Sequence, residues 1–158
     1  MMIREMTHNE CTATIADQRL ARLACADDNG PYVVPICYAY SAKRLFVFSM
    51  PGKKLEILRA NPKACVLIDA LETRHRWKCV IVDALFHELP DTEDLHDERL
   101  RAWTLLAKDV DWWEPGAFKP QPQPVVTTSP HIFFELEILA MSGREAMNEM
   151  SEVSHQHP

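Results

Sequence analysis

Three apolar runs joined by very short polar turns occupy residues 20–49, and they restrict the fold more than any other feature of the chain. The turns read Asp27-Asp-Asn-Gly30 and Ser41-Ala-Lys-Arg44, and the runs are 20–26, 31–40 and 45–49. Antiparallel strands can be joined by tight turns, whereas parallel strands need a crossover of about a dozen residues. This segment therefore predicts an antiparallel meander and excludes a βαβ unit.

The middle run has apolar side chains at both sets of alternating positions. One set is Val34, Ile36, Tyr38 and Tyr40, and the other is Val33, Pro35, Cys37 and Ala39. A strand without a polar face is typical of one that is covered on both sides. We therefore predict that both faces of this strand are buried. Further strands are predicted at 65–68, 79–86 and 132–138.

Helices are predicted at three places. The capping-box pattern Thr7-His-Asn-Glu10 predicts a helix that ends near Asp17. A second helix, over about 52–60, ends before Asn61-Pro62 because the residue before proline disfavours helical geometry. A third follows Pro90, with Asp91 or Thr92 as its N-cap. Together with the strands, these helices predict a mostly β chain with flanking helices (α+β), built as one small antiparallel barrel.

Length and charge narrow the classes of function. The 158 residues suit a single domain, and the net charge of −6 argues against a nucleic-acid partner. No apolar run is long enough to span a bilayer, so we expect a cytoplasmic protein without a membrane partner. Residues 43–63 nevertheless carry six basic groups and one acid. This local excess favours a small anionic ligand, with a solvated helix face as the alternative.

The five cysteines give no sign of a metal site. They lie at positions 11, 25, 37, 65 and 79, and no two have the spacing of a zinc knuckle or a redox motif. The last four lie in apolar runs. We therefore predict small buried thiols, and no metal.

The start of the second helix has the composition of an anion site. Ser49 ends a strand, and Pro51 suits the first helical turn because it lacks an N–H. The N–H groups from Gly52 to Lys54 then have no partner within the helix and carry about half a positive charge. Glycine allows a ligand to approach the backbone closely. The side chains of Lys53 and Lys54 each add an ammonium group. A phosphate would complete this arrangement, although many ordinary helices also begin in this way.

Several segments, in this order and spacing, resemble the pyridoxamine 5′-phosphate oxidase-related family, and more closely its nitroimidazole-resistance-like branch of FMN-binding split barrels. The resemblance covers about residues 3–146. The segments that carry it are Arg22-Leu-Ala-Cys25, the run from Gly30 to Tyr40, Phe48-Ser49, Gly52-Lys-Lys-Leu-Glu56, Arg59-Ala-Asn-Pro62, Trp77-Lys-Cys-Val-Ile-Val82, Glu88-Leu-Pro90, Trp112-Trp-Glu-Pro115 and Ser142-Gly-Arg144.

The resemblance implies a six-stranded antiparallel split barrel that forms a homodimer, with FMN at the interface between the two chains. We expect a single domain over residues 1–146 and a flexible tail over 147–158. Lys54 would hold the FMN phosphate with help from Lys53 and Ser49. The expected cofactor-binding residues, carried over position by position, are Val34, Pro35, Ile36, Cys37, Ser49, Met50, Gly52, Lys53, Lys54, Trp77, Lys78 and Cys79.

For two parts of this site the resemblance also implies a position relative to the flavin. Residues 34–37 would lie along the isoalloxazine ring through their backbone, and residues 77–79 would reach the flavin, often from the other subunit. Pro35 removes one donor from its strand, which leaves the neighbouring backbone groups to the ring. An edge strand or a bulge is the alternative explanation for this proline.

The resemblance also implies a flavin-dependent oxidoreductase that passes electrons from a reduced nicotinamide to a small oxidised molecule. The chain lacks the basic carboxy-terminal motif of a true pyridoxamine phosphate oxidase, so that reaction is not expected. No Ser-His-Asp or Cys-His set has a supporting context, and the catalytic residues stay unassigned. The alternatives are a non-catalytic protein that stores or senses FMN, a deazaflavin or haem, and a dimer whose lysine site is empty.

Overall fold

The computed structural model describes residues 1–108 and 132–147. No helix in these residues is long and apolar enough to cross a membrane. In chain order the elements are β1 (Met2–Glu5), α1 (His8–Asp17), β2 (Leu20–Asp27), β3 (Gly30–Ser41), β4 (Arg44–Ser49), α2 (Lys53–Ala60), β5 (Lys63–Thr73), β6 (Arg76–Glu88), α3 (His96–Leu106) and β7 (Ile132–Met147).

The seven strands form one antiparallel sheet that closes on itself. Their order is β1-β7-β4-β3-β2-β5-β6, and β6 also pairs with β7. Strands β2 to β7 thus make the ring, and β1 adds to the end of β7, where Met2 lies opposite Met147. Strand β7 can serve three neighbours because it is 16 residues long, and its first residue, Ile132, pairs with Ser49 of β4. The predicted six-stranded antiparallel barrel is confirmed.

The two tight turns of the meander form as their sequences predict. In the first, the Asp27 carboxylate accepts from the Asn29 N–H at 2.9 Å, and Gly30 follows with a φ of 116°, a conformation that favours glycine. In the second, Ala42 and Lys43 have φ values of 51° and 62°. Two successive residues with positive φ are typical of hairpin turns whose twist matches that of the flanking strands.

Alternate residues of each strand fill the barrel. Helices α1 and α2 add to this core, because Ile15 and Leu55 are both 0% exposed. The Tyr38 hydroxyl donates to the Ile15 carbonyl at 2.6 Å, which ties α1 to β3. Helix α3 instead packs on the outside of β3, β4 and β7, over Phe46 and Phe133. The fully buried strand residues inside the barrel include Leu23, Leu45, Val66, Ile68, Val80, Val82, Phe134 and Leu136.

The structure differs from the predicted elements in three ways. Helix α3 begins at His96 after Leu95, without a side-chain cap, so the N-cap predicted at Asp91 or Thr92 is wrong. Residues 90–95 form turns instead, in which the Thr92 N–H donates to the Pro90 carbonyl and the Leu95 N–H to the Thr92 carbonyl. Strands β5 to β7 are longer than predicted, and β1 was not predicted.

The Trp112-Trp-Glu-Pro115 segment and residues 148–158 of the predicted tail lie outside the described residues, whereas Met147 belongs to β7.

The prediction that β3 is covered on both sides is wrong for the single chain. Val33 is 60% exposed and Pro35 is also exposed, because α3 reaches only the later part of the strand, where Ala39 is 6% exposed. The prediction of four buried thiols is confirmed for one cysteine and wrong for the other three. Cys25 is buried inside the barrel, but the other three predicted thiols point outward and are only partly covered: Cys37, Cys65 and Cys79.

An ion-pair network joins β1, α1 and β7. The Arg4 guanidinium lies 2.6 Å from Glu10 and 2.5 Å from Glu145. The capping box of α1 is present, since Glu10 accepts from the Thr7 N–H at 2.7 Å while its own N–H donates to the Thr7 hydroxyl at 3.3 Å. The hydrogen bond from Arg4 and those from Thr7 lower the pKa of Glu10 to about 2.

Replacing Glu10 with glutamine should therefore reduce stability in a pH-dependent way. Because the pKa of Glu10 falls from 4.5 to about 2 on folding, its contribution is present above 4.5 and is lost as the pH falls towards about 2. We expect Glu10→Gln to lower the thermal midpoint at neutral pH, and the difference from wild type to shrink across this window. Circular dichroism melts at a series of pH values measure this difference, with Glu56→Gln, at an exposed position of α2, as the control. A difference that is constant with pH would contradict the assignment.

Candidate functional site

The start of α2 presents backbone donors that have no partner among the described residues. The Gly52 carbonyl accepts from the Leu55 N–H at 3.0 Å and from the Glu56 N–H at 3.3 Å. No hydrogen bond within residues 1–108 and 132–147 uses the N–H of Lys53 or Lys54, and no side chain caps the helix. A Cβ built on Gly52 would meet nothing within 4 Å. The backbone beside these donors is therefore open at Gly52, which suits an anion site.

The two lysines at this helix start have different environments. Lys53 is exposed, and its ammonium lies 4.9 Å from the centroid of the Tyr32 ring. Lys54 is half-buried, and burial lowers its pKa, although the nearby Cys25 thiol acts in the opposite direction. No carboxylate in the described part of the chain forms a salt bridge with either lysine. A partly desolvated ammonium without a counter-ion favours an anionic ligand.

Ser49 and Met50 link β4 to this helix start. The Ser49 hydroxyl donates to the Met50 carbonyl at 2.7 Å, and Ser49 is 5% exposed. Its oxygen can still accept, but a donation to a ligand would require this bond to break. The Met50 side chain is 49% exposed. In this arrangement Ser49 shapes the turn into α2, while the lysines and the backbone supply the free donors.

The first half of β3 has an open edge. Strand β4 pairs only from Tyr38 onwards, and no strand among the described residues pairs with residues 30–37 on that side. The Tyr38 N–H donates to the Arg19 carbonyl at 3.0 Å, so even-numbered residues turn their backbone groups towards β2 and odd-numbered residues turn theirs towards the open edge. Pro31 and Pro35 are both odd-numbered. Their missing N–H groups break no ladder bond, and the edge-strand explanation for Pro35 applies.

The predicted β3 residues thus divide into two sets. Val34 packs against the barrel core and Ile36 is 5% exposed within it, while Pro35 and Cys37 face outward. The open edge offers the N–H groups of Val33 and Cys37 and the carbonyls of Val33 and Pro35. Because Tyr32 contacts Lys53, the start of α2 lies at the same end of β3 as this edge.

The structure does not bring residues 77–79 to this place within one chain. Strands β2 and β5 separate β6 from β3 in the sheet. Trp77 and Cys79 point outward, as Pro35 does. Lys78 points to the opposite face, and its ammonium lies 3.7 Å from Glu145.

The outward-pointing residues of β2, β3, β5 and β6 form what we call the outer face. The strand registers place Pro35, Arg22, Leu67 and Ile81 in one row, and Val33, Ala24, Cys65 and Asp83 in the next. Four large apolar side chains on it are strongly exposed: Leu71 at 71%, Val33 at 60%, Ile81 at 46% and Leu20 at 44%. An ion pair between Arg22 and Asp69 is its main polar feature.

Sequence reasoning missed two residues beside the lysines, Tyr32 and Cys25. They are cross-strand partners in the β2–β3 hairpin, and the Cys25 thiol lies 3.8 Å from the Tyr32 carbonyl oxygen. Counting residues back from the turn at Asp27 and Gly30 would have paired them. What the sequence did not reveal is that α2 packs over this end of the hairpin.

Comparisons with known proteins match a family model and similar proteins over most of this chain. A family model described as pyridoxamine 5′-phosphate oxidase matches residues 7–145. An uncharacterised protein of Rhizobium meliloti (strain 1021) is 47% identical over 146 residues, which are 92% of this chain and 97% of that protein.

Solved structures with a similar fold include the following two proteins. The crystal structure of an FAD-binding protein from Mesorhizobium loti is 46% identical, with a TM-score of 0.78 over 93% of this chain and 100% of that one. A candidate 5-nitroimidazole antibiotic resistance protein from Bacteroides thetaiotaomicron is 16% identical, with a TM-score of 0.66 over 92% of this chain and 89% of its own. The second likeness concerns the fold alone.

Proposed function

The chain belongs to the pyridoxamine 5′-phosphate oxidase family, and on that premise we propose that it is a flavin-binding protein whose α2 start holds the flavin phosphate. The observation that carries this proposal is the open, cationic start of α2 beside the unpaired edge of β3. The 46% identical relative from Mesorhizobium loti is named as FAD-binding, which supports a flavin as the ligand.

The charges at the α2 start match a phosphate group. A phosphate monoester carries about −1.5 to −2 charges near pH 7. Two ammonium groups and the free N–H groups of a helix start, worth about half a positive charge, balance it. The alternative of a solvated helix face fits Lys53 but not Lys54, because a half-buried amine whose pKa is lowered by burial is not fully hydrated.

The flavin ring fits the open edge of β3. The pyrimidine side of an isoalloxazine presents one N–H donor between two carbonyl acceptors. The odd-numbered residues of β3 can pair with part of this pattern, because the Pro35 carbonyl can accept from the ring N–H and the Cys37 N–H can donate to a ring carbonyl. Residues 34–37 would therefore contact the ring through their backbone, as the resemblance implies, while the side chains of Val34 and Ile36 remain in the core.

We propose FMN as the cofactor and FAD as the second candidate. FMN ends at its phosphate, which the lysines and free N–H groups of α2 can satisfy alone. FAD is favoured by the name of the Mesorhizobium loti relative, and the open space at Gly52 leaves room for a nucleotide to continue beyond the phosphate. Heat release of the bound flavin followed by chromatography distinguishes the two.

We further propose a homodimer in which the outer faces of two copies meet. This arrangement would cover the exposed side chain of Val33, and it would allow Trp77 and Cys79 of the second copy to approach the ring held by the first. Lys78 would then act through its backbone, because its side chain is held by Glu145 on the other face. In this homodimer both faces of β3 would be buried, as the sequence predicts.

The reaction we propose is the transfer of electrons from a reduced nicotinamide to a small oxidised molecule. The flavin supplies the redox chemistry, and this chain positions it. Lys54 and the α2 amides would fix the phosphate, and the β3 edge would fix the pyrimidine side of the ring. The other candidate is a carrier or sensor without turnover, which has the same binding site.

The purified protein should be yellow and show the absorbance bands of a flavin. When it is mixed with NADH or NADPH without air, we expect the colour to bleach and to return on exposure to oxygen. Bleaching by dithionite but by neither nicotinamide would favour the carrier. A colourless protein that takes up neither FMN nor FAD on reconstitution would contradict flavin binding.

A further inference from the structure

We propose that Tyr32 is a positioning residue for the phosphate site, where its ring holds the Lys53 ammonium at the start of α2. This inference rests on the proposed function. It assigns a role to a side chain whose contact with the phosphate site, among the described residues, is with Lys53. A comparison of FMN with riboflavin separates the failure of this role from the failure of flavin binding.

The contact between the two residues is an interaction between a cation and an aromatic ring. The Lys53 ammonium lies 4.9 Å from the Tyr32 ring centroid, within the distance of about 6 Å at which such contacts are favourable. No carboxylate in the described part of the chain forms a salt bridge with Lys53, so the ring is the partner that the structure gives its ammonium.

The Tyr32 ring is itself held in place. Its side chain is partly buried against the barrel core, and its residue pairs with Cys25 across the hairpin. A lysine side chain has four flexible carbon–carbon torsions, and ordering it costs entropy when it binds a ligand. A ring that already confines the ammonium beside the helix start reduces this cost, which strengthens phosphate binding by preorganisation.

The two lysines therefore reach the same ligand by different routes. Lys54 is confined by burial, because it is half-buried beside Cys25. Lys53 is exposed and is confined by Tyr32. Removal of the Tyr32 ring should therefore weaken the binding of the phosphate group and leave the contacts of the flavin ring unchanged.

The test compares FMN with riboflavin, which has the same ring but no phosphate. Dissociation constants are measured by flavin fluorescence for wild type, Tyr32→Leu, Tyr32→Phe and Lys53→Met. We expect Tyr32→Leu to weaken FMN binding by about two- to fivefold, the range for an exposed cation–ring contact, and to leave riboflavin unchanged. Tyr32→Phe keeps the ring and should bind FMN within about twofold of wild type.

A double variant tests whether Tyr32 acts through Lys53. Tyr32→Leu combined with Lys53→Met should bind FMN no more weakly than Lys53→Met alone, because the ring then has no ammonium to hold. Fold-changes that multiply would overturn the proposal. Equal weakening of FMN and riboflavin by Tyr32→Leu would also overturn it, since that result indicates a structural role.

Two further results separate the possible failures. If wild type binds FMN much more tightly than riboflavin and neither Tyr32→Leu nor Tyr32→Met changes the ratio, the role of Tyr32 is refuted and the phosphate site stands. If wild type binds neither ligand, the proposed function and this inference both fail. Riboflavin affinity also reports on folding in each variant, and Tyr32→Met provides a second substitution of similar size.

Discussion

Replacing Lys54 with alanine should weaken FMN binding by about 10- to 150-fold, which corresponds to about 1.5–3 kcal/mol, the range for hydrogen bonds to charged groups. Lys54 is half-buried at the start of α2, and burial lowers its pKa because no anion compensates the ammonium. A bound phosphate would supply that anion. The substitution removes this charge from a partly desolvated place, where the interaction is stronger than at an exposed surface.

Two controls make the Lys54 result specific. Riboflavin affinity should change little, because the proposed position of the flavin ring is at the β3 edge and not at the helix start. Lys63→Ala removes an exposed charge from the same basic segment of the chain and should bind FMN almost as wild type does. An FMN dissociation constant that Lys54→Ala leaves unchanged would remove Lys54 from the phosphate site and with it the main support for the proposed position of the flavin.

The parts of the fold that the sequence predicts correctly are those set by local interactions. The capping box of α1 uses side chains three residues apart, and the meander follows from turns of two residues, whose preferences are local. The α2 start belongs to the same class, since Gly52 and the two lysines lie next to one another. For these features the residues that decide the structure are neighbours in the chain.

The parts that were missed depend on distant pairing. Strand β1 has no periodic pattern of its own, and it exists because the end of β7 offers an edge at Ala146 and Met147. Strands β5 and β6 extend beyond their apolar runs because they pair with each other as far as Thr73 and Arg76. The start of α3 was misplaced because the turns of residues 90–95 compete with a helix that the acids alone would favour.

The candidate site residues also divide into those set by local sequence and those set by distant packing. The open edge of β3 and the contact of Tyr32 with Lys53 arise from where β4 stops and where α2 packs, neither of which a local pattern records. One feature of the site was accessible from the sequence. Because side chains alternate along a strand, Lys78 had to lie on the opposite face from Trp77 and Cys79.

Placing a lysine at Ile81 should convert the proposed dimer into a monomer and remove flavin binding. Ile81 is 46% exposed in the single chain and lies in the same row of the outer face as Leu67, Arg22 and Pro35. In a dimer with twofold symmetry each substitution enters the interface twice, and each buried, unpaired ammonium costs about 3–5 kcal/mol.

Light scattering coupled to size exclusion measures the mass, and flavin absorbance of the same peak measures occupancy. Leu100→Lys, at a 55% exposed position of α3, adds the same charge away from the outer face and should stay dimeric and yellow. A dimeric, flavin-loaded Ile81→Lys protein would place the interface elsewhere. A monomer that binds flavin tightly would show that one chain completes the site without residues 77–79 of a second copy.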